Sequence, residues 1–294
     1  MRSRLLLVVT ALAACGTPPG DGAEAEVGTR ADALGEPAVN YPNYGERAFH
    51  YLTNRARLAP TDADVCGKGF AVPVTQPLEY NLALNQVARY HSRQMQRSGC
   101  FQHASCGIPL GRGLNTCASA RPPEQGGGCT TANESYCATD KGNACPQDSR
   151  LGTFYRFGLF GYTGSSKGEN IAKGYSDERG AFCAFFLEGP EPAIPDGEEH
   201  GHFESIVNGT YNEVGHGVVA RVYTQDFGGR SGIKPSIIPS ASHWRRQVGS
   251  ANVTFGAIWK HAAAPQAIDV VVEGACSPLS LEAGTPALGA YEVT

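Results

Sequence analysis

The chain has 294 residues, 41% of them hydrophobic, with 24 Lys and Arg against 28 Asp and Glu and a net charge of −4. That is enough apolar material for a proper core and enough length for one large domain plus a second small one. No basic run exceeds two residues past the N-terminus, so the concentrated cationic face that phosphate binding needs is missing, and nucleic acid is excluded as an expected partner. The 37 Gly and 19 Pro indicate a core joined by many loops.

Residues 1–15 read as a bacterial lipoprotein signal peptide. Met1-Arg-Ser-Arg4 is a basic start, and the apolar run over residues 5–11 is too short to span a membrane. It closes on Leu12-Ala13-Ala14-Cys15-Gly16, small residues before a cysteine, the pattern of a lipobox. Cleavage there leaves Cys15 as the lipid attachment, and its acyl chains suffice for stable anchoring. An ordinary signal peptide with an incidental cysteine is the duller reading. Residues 16–39, rich in Gly, Ala, Glu and Thr, read as a flexible tether. The chain is therefore expected to be exported and lipid-anchored to a bacterial membrane, on the cell surface or facing the periplasm, where disulfides form. Nine cysteines follow Cys15, and six of them fall within 100–145. No Cys-x2-Cys pair suggests zinc, so disulfide stapling of a weakly apolar insertion is expected, with the pairing unreadable from spacing.

Order is expected from about Tyr41. Over 46–58, Phe49, Leu52 and Ala56 share a face at helical spacing, and Pro60 stops the helix. Asn81 caps a second helix that buries Leu84, Val87, Ala88, His91 and Met95 until Gly99 ends it. His91 there reads as a core imidazole rather than a ligand. His103 follows just past that helix end, between Cys100 and Cys106. The aromatic stretch 151–162 leads to Gly168-Glu169-Asn170, with Glu169 read at a turn. Ser176 or Asp177 caps a helix through Ala181, Phe185 and Glu188. A loop rich in Pro and acid, 189–200, precedes Gly201-His202, and residues 213–227 alternate as one strand would. Pro235, Pro239 and the Ser-rich segment to Ser242 read as a linker. Residues 229–294 as a whole read as that linker plus a partial β-sandwich-like module of three or four strands, in which Cys276 has no evident partner.

Four side chains carry candidate chemistry: His103, Glu169, Glu188 and His202. Two imidazoles and two carboxylates facing one cleft can hold a divalent cation such as zinc by ring nitrogen, while a carboxylate orients them or polarises a bound water. The same four can instead form a hydrogen-bonded network that only fixes loops. Glu169 bonded to the backbone N–H groups of its turn, His200 solvated in its loop, and His216 in either core or cleft are the structural alternatives. Ser205 lacks a Gly-x-Ser-x-Gly elbow, which argues against a serine nucleophile.

At these residues the chain resembles the CAP (SCP-like) domain family, close to its bacterial secreted branch. The resemblance rests on Asn54-Arg55-Ala56-Arg57, Ala88-Arg-Tyr-His-Ser92 with Met95, Phe101-Gln-His103, Gly168-Glu169-Asn170-Ile171-Ala172, and Gly201-His202 through Asn208 into Glu213-Val-Gly. Each motif alone is weak, but the ordered set covers about residues 40–228. It implies an α+β fold, an α-β-α sandwich with a central mostly antiparallel sheet. It also implies a cleft tetrad, carried here by His103, Glu169, Glu188 and His202, with His103 and His202 as the metal-ligand candidates. The family's Trp-x-x-Glu stands here as Phe185-Phe-Leu-Glu188, and the long loop 189–200, His216 and the six-cysteine stretch are further departures. Family members lack an agreed catalytic activity, so the resemblance favours a surface-anchored module binding a small ligand, lipid, protein or cation. A metal-assisted, peptidase-like hydrolase with Glu169 or Glu188 as base is the second reading. An adhesin that recognises through its C-terminal module is the third.

Overall fold

The computed structural model describes residues 41–105, 153–192, 200–247 and 250–294. The leader with Cys15, the tether, all but the first residues of the cysteine-rich insertion, and residues 193–199 lie outside the described residues.

Helix α1 (Tyr44–Leu58) opens two residues before the periodicity suggests, because Asn43 and Glu46 form a capping box. Each side chain accepts the other's backbone N–H at 2.9 Å. After the short strand β1 (Glu79–Tyr80), helix α2 (Leu82–Ser98) starts at Asn81, whose side chain accepts the Leu84 N–H. Gly99, with φ of 73°, ends it in the left-handed conformation that glycine tolerates. Helix α3 (Thr153–Leu159) packs Phe157 against Leu84, Val87 and Tyr90 of α2. Strand β2 (Ser166–Lys173) and helix α4 (Glu178–Phe186), capped by Asp177, follow, and then helix α5 (Gly201–Val207).

Residues 213–227 are not one strand. They form a hairpin of β3 (Glu213–Val219) and β4 (Val222–Gly229), because Ala220 and Arg221 both adopt left-handed φ, 45° and 67°, and reverse the chain in two residues. The first sheet runs β1-β3-β4-β2, antiparallel except for the β1–β3 pair. Helix α2 covers one face and comes very close to it. A Cβ on Gly217 would stand 2.2 Å from the Ala88 carbonyl oxygen, so only glycine fits beneath the helix. Helices α1, α4 and α5 cover the other face, where Phe49, Leu52, Phe182, Phe185, Phe203 and Phe227 are at most 2% exposed. Burying each such side chain contributes about 1.5–3 kcal/mol. The architecture is the α+β sandwich that the motif order implies.

Six further strands follow: β5 (Ala241–Trp244), β6 (Thr254–Lys260), β7 (Asp269–Val272), β8 (Ala275–Pro278), β9 (Ser280–Thr285) and β10 (Leu288–Val293). Three or four were expected. Four of them build a second sheet, β5-β6-β10-β9, and β7 pairs with β8 alone. The second sheet sends Trp244, Ile258, Ala283 and Ala290 into the same core as α1, which is why that helix is buried nearly all round. Polar groups of α1 then need internal partners. Tyr51 Oη and Arg55 Nε both donate to Glu292 Oε1, at 2.6 and 2.7 Å, and Asn54 Nδ2 donates to Ser240 Oγ at 3.0 Å. Arg57 donates to the carbonyls of Gln76, Ile206, Asn208 and Tyr211. A disulfide joins Cys66 to Cys183 in α4. Cys276, expected to lack a partner, is disulfide-bonded, as is Cys100.

Candidate functional site

Strand β2 is an edge of the first sheet, and its alternate residues face opposite layers. Ile171 packs with Met95 of α2, whereas Ala172 enters the core shared with α1 and α4. Glu169 lies on the α2 side. It sits within the strand rather than at a turn, and it bonds side chains rather than backbone N–H groups. His103 Nδ1 stands 2.9 Å from Glu169 Oε1, Thr153 Oγ1 donates to the same oxygen at 3.1 Å, and Arg156 pairs with Oε2. Arg156 also donates to the His103 carbonyl at 2.6 Å, so one guanidinium ties the turn after α2 to β2. The Glu169 side chain is 1% exposed, while His103 is 53% exposed.

Burial would raise the Glu169 carboxyl, but Arg156, with His91 and His103, outweighs it and holds the group well below the usual carboxylate range. Asp226 stands in register opposite Glu169 on β4 and goes the other way. Burial first, and then the Glu169 charge, hold its carboxyl protonated well above the usual range. His91 is buried as expected, yet it also borders this cluster. Its Nδ1 is 3.1 Å from Ser105 Oγ and its Nε2 is 3.7 Å from Glu169 Oε1. Burial and the Arg156 charge push His91 down to about 3.

The second pair sits on the opposite face. Glu188 lies just past the end of α4 and His202 in the first turn of α5. His202 Nδ1 bonds Glu188 Oε1, and the His202 backbone N–H donates to Oε2 at 3.1 Å. The imidazole packs on Phe185 with ring centres 4.7 Å apart. Between the pairs, Asn170 Nδ2 donates to the His202 carbonyl and to Gln225 Oε1, each at 3.0 Å, and Gln225 Nε2 donates to Thr53 Oγ1 at 2.8 Å. His200, read as solvated, is instead 8% exposed with Nδ1 3.0 Å from the Glu188 carbonyl, because the chain folds back on itself to bring α5 to α4. His216 is in the core, packed against Phe49 and His50.

The four predicted residues thus come together as two pairs flanking β2. Among the described residues no hydrogen bond or ion pair joins one pair to the other. A cleft of about 210 Å³ opens along the edge of β2, lined by Phe101, Ile171 and Lys173 from one face and by Ala172, Phe185, Glu188 and His202 from the other. Glu169 and His103 do not line it.

Both imidazoles commit Nδ1 to a carboxylate, the orientation seen in metal-binding histidines. The donor set nevertheless falls short of a resident zinc, which takes three or four protein ligands. Among the described residues no group of three or more His, Cys, Asp or Glu side chains is placed to share one ion. Arg156 already neutralises Glu169, and its guanidinium would repel a cation held there.

Arg156, Thr153 and Asp226 were not found from the sequence. One signal was present for Asp226: it lies in an alternating apolar stretch, and every residue of β4 is buried, so its carboxyl needs a partner.

Among known proteins, a model of the CAP family, described as the cysteine-rich secretory protein family, matches residues 50–227. No curated protein matches the chain. One similar solved structure is an extracellular protein containing an SCP domain from Bacillus anthracis str. Ames, at 18% identity and a TM-score of 0.34. The match covers 53% of this chain and 35% of that one, about a third of its length.

Proposed function

The chain belongs to the CAP, or cysteine-rich secretory protein, family, and from that premise we propose that it is an exported, lipid-anchored binding module whose ligand sits in the cleft beside Glu188 and His202. The observation that carries this reading is the unequal state of the two pairs. Glu169 has both oxygens engaged and is buried, so the first pair fixes the turn after α2 to the sheet. Glu188 and His202 keep side-chain exposures of 20% and 23% and line a cleft with an apolar floor, the usual make-up of a recognition site. Export is supported by the basic and apolar leader and by the Cys66–Cys183 disulfide. No helix among the described residues is long and apolar enough to cross a membrane, and anchoring is assigned to lipid on Cys15.

The rival is a metal-assisted hydrolase using His103 and His202. Metal analysis of the full chain in detergent, after dialysis against zinc and then buffer, decides between them. Less than one ion per chain is expected. Stoichiometric zinc that disappears in the His103→Ala/His202→Ala double variant would overturn the proposal in favour of the hydrolase. For the anchor, Cys15→Ser is expected to move the protein from the membrane to the soluble exported fraction, and continued retention at the membrane refutes lipid attachment there.

A further inference from the structure

Taking the cleft as the binding site, we infer that its ligand is an extended peptide that adds as a strand to the outer edge of β2, places one apolar side chain in the cleft and meets Lys173 with a carboxylate. The strand pairing sets the direction of each main-chain group. The Gly174 N–H bonds the Arg221 carbonyl, so in the antiparallel ladder residues 172 and 170 bond across to Tyr223 and Gln225 of β4. The intervening residues, Ile171 and Lys173, then direct N–H and C=O away from the sheet. No strand pairs with that edge among the described residues, and no other hydrogen bond there engages the main chain of either residue.

The cleft lies along this same edge. Its walls come from both faces of β2, which is the position a side chain of an added strand would reach. A cleft of about 210 Å³ floored by Phe101, Ile171 and Phe185 suits one branched or aromatic side chain rather than a long acyl chain. Charge points the same way. Lys173 Nζ lies 4.8 Å over the Phe101 ring and Lys167 Nζ 6.0 Å over Phe157, and neither meets a carboxylate among the described residues. Lysines on an edge strand discourage pairing with a second copy of the same edge. The same two charges favour a partner strand carrying an acidic group.

The probe is fluorescein-labelled Thr-Val-Thr-Val-Phe with a free C-terminal carboxylate, added to the full chain in detergent. Anisotropy measures binding, and hydrogen exchange is read at single residues. Saturating peptide is expected to slow exchange at the Ile171 and Lys173 N–H groups by tenfold or more and to leave Asn170 and Ala172 unchanged. The C-terminal amide is expected to bind up to about fivefold more weakly, the scale of an exposed ion pair, and Lys173→Glu should erase that difference. Alternate N-methylation of the peptide keeps its side chains but removes strand pairing, and should abolish binding. Equal binding by the N-methylated peptide, equally effective competition by free phenylalanine, or protection at Ala172 in place of Ile171 overturns strand addition while leaving the cleft a binding site. No binding of the probe also overturns it, and the zinc measurement then judges the proposed function on its own.

Discussion

Acid should destabilise this chain well before its carboxylates titrate, through four histidines that the fold keeps neutral. Burial pushes His50 from 6.5 down to about 4, burial and Arg156 push His91 to about 3, burial with the neighbouring His50 holds His216 well below its ordinary value, and burial with Arg47 and Arg245 pushes His243 to about 4. In each case the unfolded chain takes a proton near pH 6.5 and the folded chain does not, so stability present above that pH is lost as pH falls toward the folded value. Asp226 and Glu178 run oppositely: burial raises both carboxyls, so they take protons in the fold more readily than in the unfolded chain and add stability over the same descent, two groups against four. Glu169, held low in the fold, begins to matter only below about pH 4.5. The net difference between pH 6 and 4.5 is about two protons, or about 2.7 kcal/mol lost per pH unit. Over that window about 4 kcal/mol disappears from a total that for ordinary domains is about 5–15 kcal/mol. Urea titrations followed by tryptophan fluorescence at pH 7, 6, 5 and 4.5 measure this slope directly. His216→Leu is the sharper perturbation, because neither ring nitrogen has a hydrogen-bond partner to lose. It should reduce the slope by one proton, about 1.4 kcal/mol per pH unit, and raise stability at pH 5. A flat profile from pH 6.5 to 4.5, or a His216→Leu slope equal to that of the parent, refutes the reasoning.

Glu169→Gln leaves the buried Arg156 guanidinium without its counter-charge and is expected to cost about 3–5 kcal/mol, read by the same urea titration. A loss below 1 kcal/mol would mean that Arg156 finds another partner. Gly217→Ala sets a Cβ 2.2 Å from the Ala88 carbonyl oxygen and must push α2 off the sheet. It should lower stability by roughly 1–3 kcal/mol, as other overpacked contacts do, and a thermal midpoint unchanged from the parent would contradict the close approach.

What could be read from the sequence was local. Asn81 and Gly99 mark the ends of α2 by their own chemistry, and Asp177 does the same for α4, so these boundaries were legible. The start of α1 was equally encoded in Asn43 and Glu46, but Tyr44 and Gly45 between them carry no helical periodicity and hid it. The four candidate residues were recognisable because each is bracketed by its own short motif. Their division into two pairs was not, since it depends on Glu169 and Asn170 pointing to opposite faces of β2, and that required knowing that the segment is a strand. Burial of α1 on all sides was hidden for a similar reason: the sheet that covers its second face comes from residues 241–293, and nothing local to Tyr51 or Arg55 announces Glu292.

The missed part of the site traces to one turn. Asp226 and Glu169 are 57 positions apart, and what sets them side by side is the β2–β4 register. That register exists only because the chain reverses at Ala220–Arg221, so that β4 can lie between β3 and β2. Two-residue hairpins ordinarily declare themselves through Gly or Asn, which accept left-handed φ without strain. Here a pair of non-glycine residues takes that conformation, and the alternation of valines on either side reads straight through it as one strand. With 213–227 taken as a single strand, Asp226 falls at its far end with no reason to approach Glu169. Placing the reversal brings the acid to the carboxylate, and a protonated Asp226 then follows from burial and charge alone.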